Sequence, residues 1–260
     1  MKARAFTLVE LLVVIAIIAL LLAILMPALQ KAKSLAKTAV CVAGCRSLST
    51  AWATYASDND SKMVSSMTGY SDFFTHLSKS PLLCPNPWVD WAGYPTESST
   101  NTERQIKAIK QGVLYPYVGT PKAYRCPESK RIELRCYSIP DYYGNELING
   151  HVTLGGLKAL TKTTQIKMPG DRIIFLDEGY VTYGGYTIYY DRPSWWDRPP
   201  NRHNNGITLG YADGHSGFVK WRDKRTIELS EGITTDPSQP GNEDLIMMQK
   251  GIFGKLGYSP

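Results

Sequence analysis

The sequence predicts an α+β protein, in which one long N-terminal helix packs by its distal half on an antiparallel β-sheet and the rest is interrupted by large irregular insertions. Three observations predict it. An apolar run over residues 6–25, FTLVELLVVIAIIALLLAIL, passes directly into a segment whose apolar residues recur at helical spacing. Residues 171–177, DRIIFLD, read as a buried strand opened by Pro169-Gly170. Residues 206–211 and 215–221 read as a hairpin joined at Asp213-Gly214, a pair suited to a two-residue type I′ turn.

The helix comes first in the chain and carries most information. At about 1.5 Å per residue the apolar run is about 30 Å long, enough to cross a bilayer core. Beyond it, Leu29, Ala32, Leu35, Ala36, Ala39, Val40, Ala43, Leu48, Ala51, Trp52 and Tyr55 continue one helical stripe. A single helix over residues 6–57 therefore follows, closed by Ser57-Asp58-Asn59-Asp60. Pro27 removes one backbone bond and is expected to kink it, with Gly44 a second weak point. Residues 61–95 are loop-rich. Residues 102–111 form a short candidate helix ahead of Gly112. After the hairpin, the tail from Glu231 is polar and rich in Gly and Pro, with one apolar patch at residues 245–248.

Composition narrows the function classes. About 200 residues follow the helix, enough for one domain with a real core, placed at 58–260. The net charge is +6, and removal of Lys2 and Arg4 with a leader would lower it by two, to +4. No basic run accompanies that excess, so no nucleic-acid partner is expected. The cysteines are Cys41, Cys45, Cys84, Cys126 and Cys136, an odd set, so at least one thiol stays free or pairs between chains. Cys41 and Cys45 sit one helical turn apart, a poor geometry for a bridge, whereas Cys126 and Cys136 flank a short excursion with which Cys84 competes. No local Cys/His spacing reads as a zinc site.

Glu10 is the one acid inside the apolar run. Burying a charge in hydrocarbon costs roughly 2.5–3.5 kcal/mol on insertion scales, so a plain anchor has no reason to carry it. A chain cleaved before Phe6 would present an α-ammonium at the edge of the apolar phase, one helical turn from the depth of Glu10. A neighbouring subunit's carboxylate would neutralise that charge and fix the axial register.

The short basic leader MKARA followed by Phe6-Thr7-Leu8-Val9-Glu10 resembles the N-terminus of type IV pilins and of the pseudopilins of type II secretion systems. The resemblance implies a pilin-like fold and three segments: a prepilin leader at 1–5, a long helix at 6–57 that spans the membrane over 6–25, and the C-terminal domain. It implies cleavage by a prepilin peptidase between Ala5 and Phe6, then methylation of the new terminus at Phe6. Where the family usually has Gly before the cut, this chain has Ala5, also small. Expected partners are the peptidase, other pilin or pseudopilin subunits and an inner-membrane assembly platform. The resemblance places the helix in the inner membrane as a single pass and the C-terminal domain in the periplasm or outside.

His203, nine intervening residues and Asp213-Gly214 resemble the C-terminal signature of a prepilin-like family of planctomycete-type bacteria, with Tyr124-Arg125-Cys126-Pro127 and Asp177-Glu178 in support. An extended strand would separate His203 from Asp213 by about 33 Å, so the two are expected to serve the fold and not one dyad. Asp177 and Glu178 are expected to pair with Arg202 or His203, with calcium as the alternative ligand of their oxygens. No cofactor is otherwise implied, and no nucleophile–base set is visible, so the protein is not expected to be an enzyme. Residues 180–196 concentrate Tyr180, Tyr183, Tyr186, Tyr189, Tyr190, Trp195 and Trp196. Packed inward they are core. Exposed, they make the alternative function a membrane-anchored binding protein that recognises a glycan or a partner.

Overall fold

A computed structural model describes residues 8–68, 87–89, 102–129, 134–144, 157–178 and 184–260. The first element, α1 (Leu8–Asp58), is one helix of 51 residues that continues through Pro27. Its two halves differ in what surrounds them. From Leu8 to Val40 the large apolar side chains are exposed, and from Cys41 onward one face is buried. The buried positions Cys41, Cys45, Leu48, Trp52 and Tyr55 recur every three or four residues, so they share one stripe.

That stripe lies against a four-stranded sheet in the order β1-β2-β3-β4, with every neighbouring pair antiparallel. The strands are β1 (Tyr137–Ser138), β2 (Ile173–Asp177), β3 (Gly206–Tyr211) and β4 (Ser216–Lys220). β2 is buried along its whole length, as its unbroken IIFLD requires. Pairing aligns Tyr137 with Asp177, Leu176 with Leu209 and Thr208 with Phe218. Helix and sheet meet where Thr208 and Gly210 of β3 lie against Cys41, Cys45 and Ser49 of α1. Trp52, Phe175, Leu209 and Ile207 belong to the same buried core, which includes Trp88, whose ring stacks on Tyr124 and meets Phe175 edge-on at 5.4 Å.

The hairpin turn differs from the sequence expectation. Ala212, Asp213 and Gly214 form a three-residue loop between the paired Tyr211 and His215. The Gly214 N–H donates to the Tyr211 carbonyl (3.0 Å) and the Tyr211 N–H to that of His215 (2.9 Å). Only Gly214 has positive φ, at 91°, whereas a type I′ turn needs two such residues. The physical reason is the side chain of Asp213, whose Oδ1 accepts from the His215 N–H at 3.0 Å and holds the loop one residue wider. Gly214→Val is expected to destabilise the protein by about 1–2 kcal/mol through the left-handed penalty. Gly217→Ala, whose new methyl would meet nothing within 4 Å, should be nearly silent in the same denaturant titration.

Among the described residues, four further α-helices surround this frame. α2 (Thr102–Gln111) occupies the predicted residues, and α3 (Tyr115–Val118) follows it. The structure forms α4 (Lys224–Glu231) just ahead of the polar tail expected from Glu231, and α5 (Glu243–Phe253) within that tail, over its apolar patch. Both begin at a side-chain cap: Asp223 accepts from the Arg225 N–H, and Asn242 from those of Asp244 and Leu245. The apolar patch is one end of a face made by Leu245, Met248 and Ile252, at helical spacing and buried.

Candidate functional site

Two regions carry chemistry beyond packing. The first is the start of α1. Glu10 stands in its first turn and is exposed, on a helix long and apolar enough to cross a membrane. Ala5 and Phe6 lie outside the described residues. Leu8, Leu20 and Ile24 are 81%, 64% and 69% exposed, so this half of the helix finds no apolar cover among the described residues.

The second region is a buried polar cluster where α1 crosses the sheet. Cys41 comes from the helix, Asp177 from the end of β2, Cys126 from the loop after residues 121–124, and His203 from the turn that precedes β3. Their Sγ, carboxylate and imidazole atoms all lie within 4.8 Å of one another. His203 Nε2 sits 3.2 Å from Cys126 Sγ and 3.7 Å from Asp177 Oδ2, and the Cys41 thiol donates to Asp177 Oδ2 at 3.4 Å. Arg202 places Nη1 2.9 Å from Asp177 Oδ1, and Glu128 sets Oε2 3.3 Å from His203 Nδ1 while accepting from the His203 backbone N–H. The turn that delivers the imidazole is strained: His203, Asn204 and Asn205 have φ of 52°, 63° and 66° in succession.

The first 26 residues match the family model of the prokaryotic N-terminal methylation motif, which covers the basic leader, Phe6, Glu10 and the apolar run. That match gives the chain an N-terminus similar to that of type IV pilin-like proteins. No curated protein and no solved structure matches it. The long exposed apolar helix and the antiparallel sheet under its distal half form the α+β layout of pilins.

His203 and Asp213 stand at opposite ends of β3. Asp213 closes the hairpin, with Oδ1 2.6 Å from His215 Nδ1 and the His215 ring stacked on Tyr211. Asp177 and Glu178 also part company. Asp177 faces Arg202, His203 and Cys41, whereas the Glu178 carboxylate accepts from the Ser138 hydroxyl. The two carboxylates therefore point at different partners. Sequence reasoning missed Cys41 and Cys126 as functional candidates, because their partners come from distant segments and leave no local spacing to recognise. Of the aromatic segment, Tyr186 and Trp195 are core, Trp196 is 59% exposed beside Tyr189, and Tyr180 and Tyr183 lie outside the described residues.

Electrostatics in the cluster follow from burial opposed by contact. Burial raises Asp177 to about 6. Burial works against His203, yet its bonds to Asp177 and Cys126 prevail and raise it to about 9. Cys126 falls to about 3 because Cys41 bonds to it, with His203 and Arg202 adding to the effect, and Cys41 is raised in turn by its own burial. Elsewhere, burial raises Asp197 from its ordinary 3.8 to about 7, against a hydrogen bond from the Thr187 N–H. A carboxyl raised on folding keeps a proton that the unfolded chain has lost. Its contribution is whole below pH 3.8 and is lost as pH rises through about 7. The protein is expected to unfold at lower denaturant at about pH 8 than at about pH 5, and Asp197→Asn should narrow that gap.

Proposed function

We propose that this pilin-like chain is a structural, non-enzymatic subunit of a type IV pilus-like filament or of a type II secretion pseudopilus. A prepilin peptidase cuts between Ala5 and Phe6 and methylates Phe6. Residues 6–25 then hold the subunit in the inner membrane as a single pass, and residues 58–260 stand as one domain on the periplasmic or outer side. An assembly platform adds subunits to the filament, and Glu10 of one subunit neutralises the terminal ammonium of its neighbour. The observation that carries this reading is an N-terminal methylation motif on a helix whose apolar side chains, from Leu8 to Leu29, are exposed in the single chain. Lipid covers such a surface before assembly, and the equivalent helices of other subunits cover it afterwards. The experiment is to shear cells that produce the chain together with its peptidase and image the released fraction. Filaments that contain the protein support the reading. Quantitative retention of processed protein in the membrane of assembly-competent cells counts against it.

A second reading, a membrane-anchored extracytoplasmic binding protein, is favoured by one observation. Trp196 is exposed, with its ring 5.7 Å from that of Tyr189 and the Arg192 guanidinium 4.7 Å above Tyr189. Binding of a glycan or partner that Trp196→Ala abolishes, without filaments, would select it.

A further inference from the structure

We propose that Cys41, Cys126, Asp177 and His203 form a structural zinc site that fastens α1 to the sheet. The geometry comes first. Four ligands around tetrahedral zinc, with bonds of about 2.0–2.3 Å, lie roughly 3.3–3.8 Å from one another. The pairs here are separated by 3.2 Å for Cys126 Sγ and His203 Nε2, 3.4 Å for Cys41 Sγ and Asp177 Oδ2, and 3.7 Å for His203 Nε2 and Asp177 Oδ2. Three of the six ligand pairs thus already match the edges of a zinc tetrahedron, and all six lie within 4.8 Å. Two sulfurs and an imidazole among four donors select zinc over calcium or magnesium, which take oxygen shells.

The surroundings fit the same ion. His203 turns Nε2 to the cluster and Nδ1 to the Glu128 carboxylate, the arrangement that orients a metal-bound imidazole. Cys41 Sγ lies 2.9 Å from the Tyr137 hydroxyl and 3.2 Å from that of Thr208, two groups able to donate to a thiolate. Charge closes as well. Two thiolates and one carboxylate carry three negative charges, zinc brings two positive ones, and Arg202 beside Asp177 brings the third. All four ligands are buried and come from the protein, so the shell is closed, as in structural zinc sites. One strand end, two loops and the helix are thereby tied at one point. Zinc binding would release the thiol protons to solvent, so no oxidant or reductant is needed.

The test uses the full chain in detergent, purified without chelators. Elemental analysis is expected to find about one zinc per chain. Replacement by cobalt should produce the thiolate-to-cobalt charge-transfer band and the strong visible bands of a tetrahedral site. Cys126→Ser and His203→Ala should each lower zinc affinity roughly tenfold or more, whereas Cys136→Ser, outside the cluster, should retain it. Should those variants fail to fold, the wild-type chain still decides. Chelation should lower its melting temperature and zinc should restore it. A zinc-free protein whose Cys41 and Cys126 are joined as a disulfide, or a cobalt titration without a thiolate band, would overturn the proposal. So would full zinc retention in folded Cys126→Ser.

Discussion

Gly210→Val is expected to force α1 away from β3 and to destabilise the protein by about 3 kcal/mol, the upper part of the range for overpacking a close contact. The helix meets the sheet at this glycine. A Cβ there would lie 2.2 Å from Ser49 Oγ, 3.2 Å from the Cys45 carbonyl oxygen and 3.4 Å from Phe175 Cβ. Ser49 is fully buried, so its hydroxyl has little room to move aside. The helix backbone behind it cannot yield locally, because Cys45, Leu48 and Trp52 are packed on either side. Two companion variants separate this cause from a general strand effect. Ser49→Ala removes the nearest atom, so Gly210→Ala should cost less in that background than alone. A loss equal in both backgrounds would place the origin of the effect elsewhere. Unfolding of the detergent-solubilised chain in denaturant measures all of them.

Glu10→Val is expected to abolish filament incorporation while cleavage and membrane insertion persist. Removing one member of a buried ion pair strands the other, at a cost of about 3–5 kcal/mol. In the proposed assembly the stranded group would be the terminal ammonium of the neighbouring subunit. That cost corresponds to a fall of roughly a hundredfold or more in the affinity of one subunit for the next. Glu10→Gln should behave similarly, since an amide keeps the shape and loses the charge. The measurement compares sheared and membrane-bound fractions for each variant. Incorporation of Glu10→Val at the unaltered level would mean that the carboxylate does not set register.

The parts of the fold legible in the sequence are those with a strong local pattern. A 20-residue, largely apolar run followed by a helical stripe admits one structure, and α1 has it. The runs around Phe175, Leu209 and Phe218 alternate or stay apolar over strand lengths, and they became β2, β3 and β4. α5 was obscured because Gly and Pro flank it. Its signals were the Asn242 cap and apolar residues at 245, 248 and 252, which outweigh a poor neighbourhood. The turn was misread by one residue, since Asp-Gly serves a two-residue turn or the end of a longer one, and the Asp213 side chain decides between them. The buried cluster was not legible at all. Its four members span residues 41 to 203 and meet only because β2 pairs with β3 beneath the helix. Metal-site spacing rules read ligands from one loop, and here each ligand comes from a different segment.

The central claim is that this chain is a processed pilin-like subunit, and the mass of its mature N-terminus tests that most directly. Protein from cells with an active prepilin peptidase should yield an N-terminal peptide that begins at Phe6 and carries one methyl group on its amino nitrogen. An N-terminal peptide that still begins at Met1 in those cells, or a cut at the far end of the apolar run, would contradict the account.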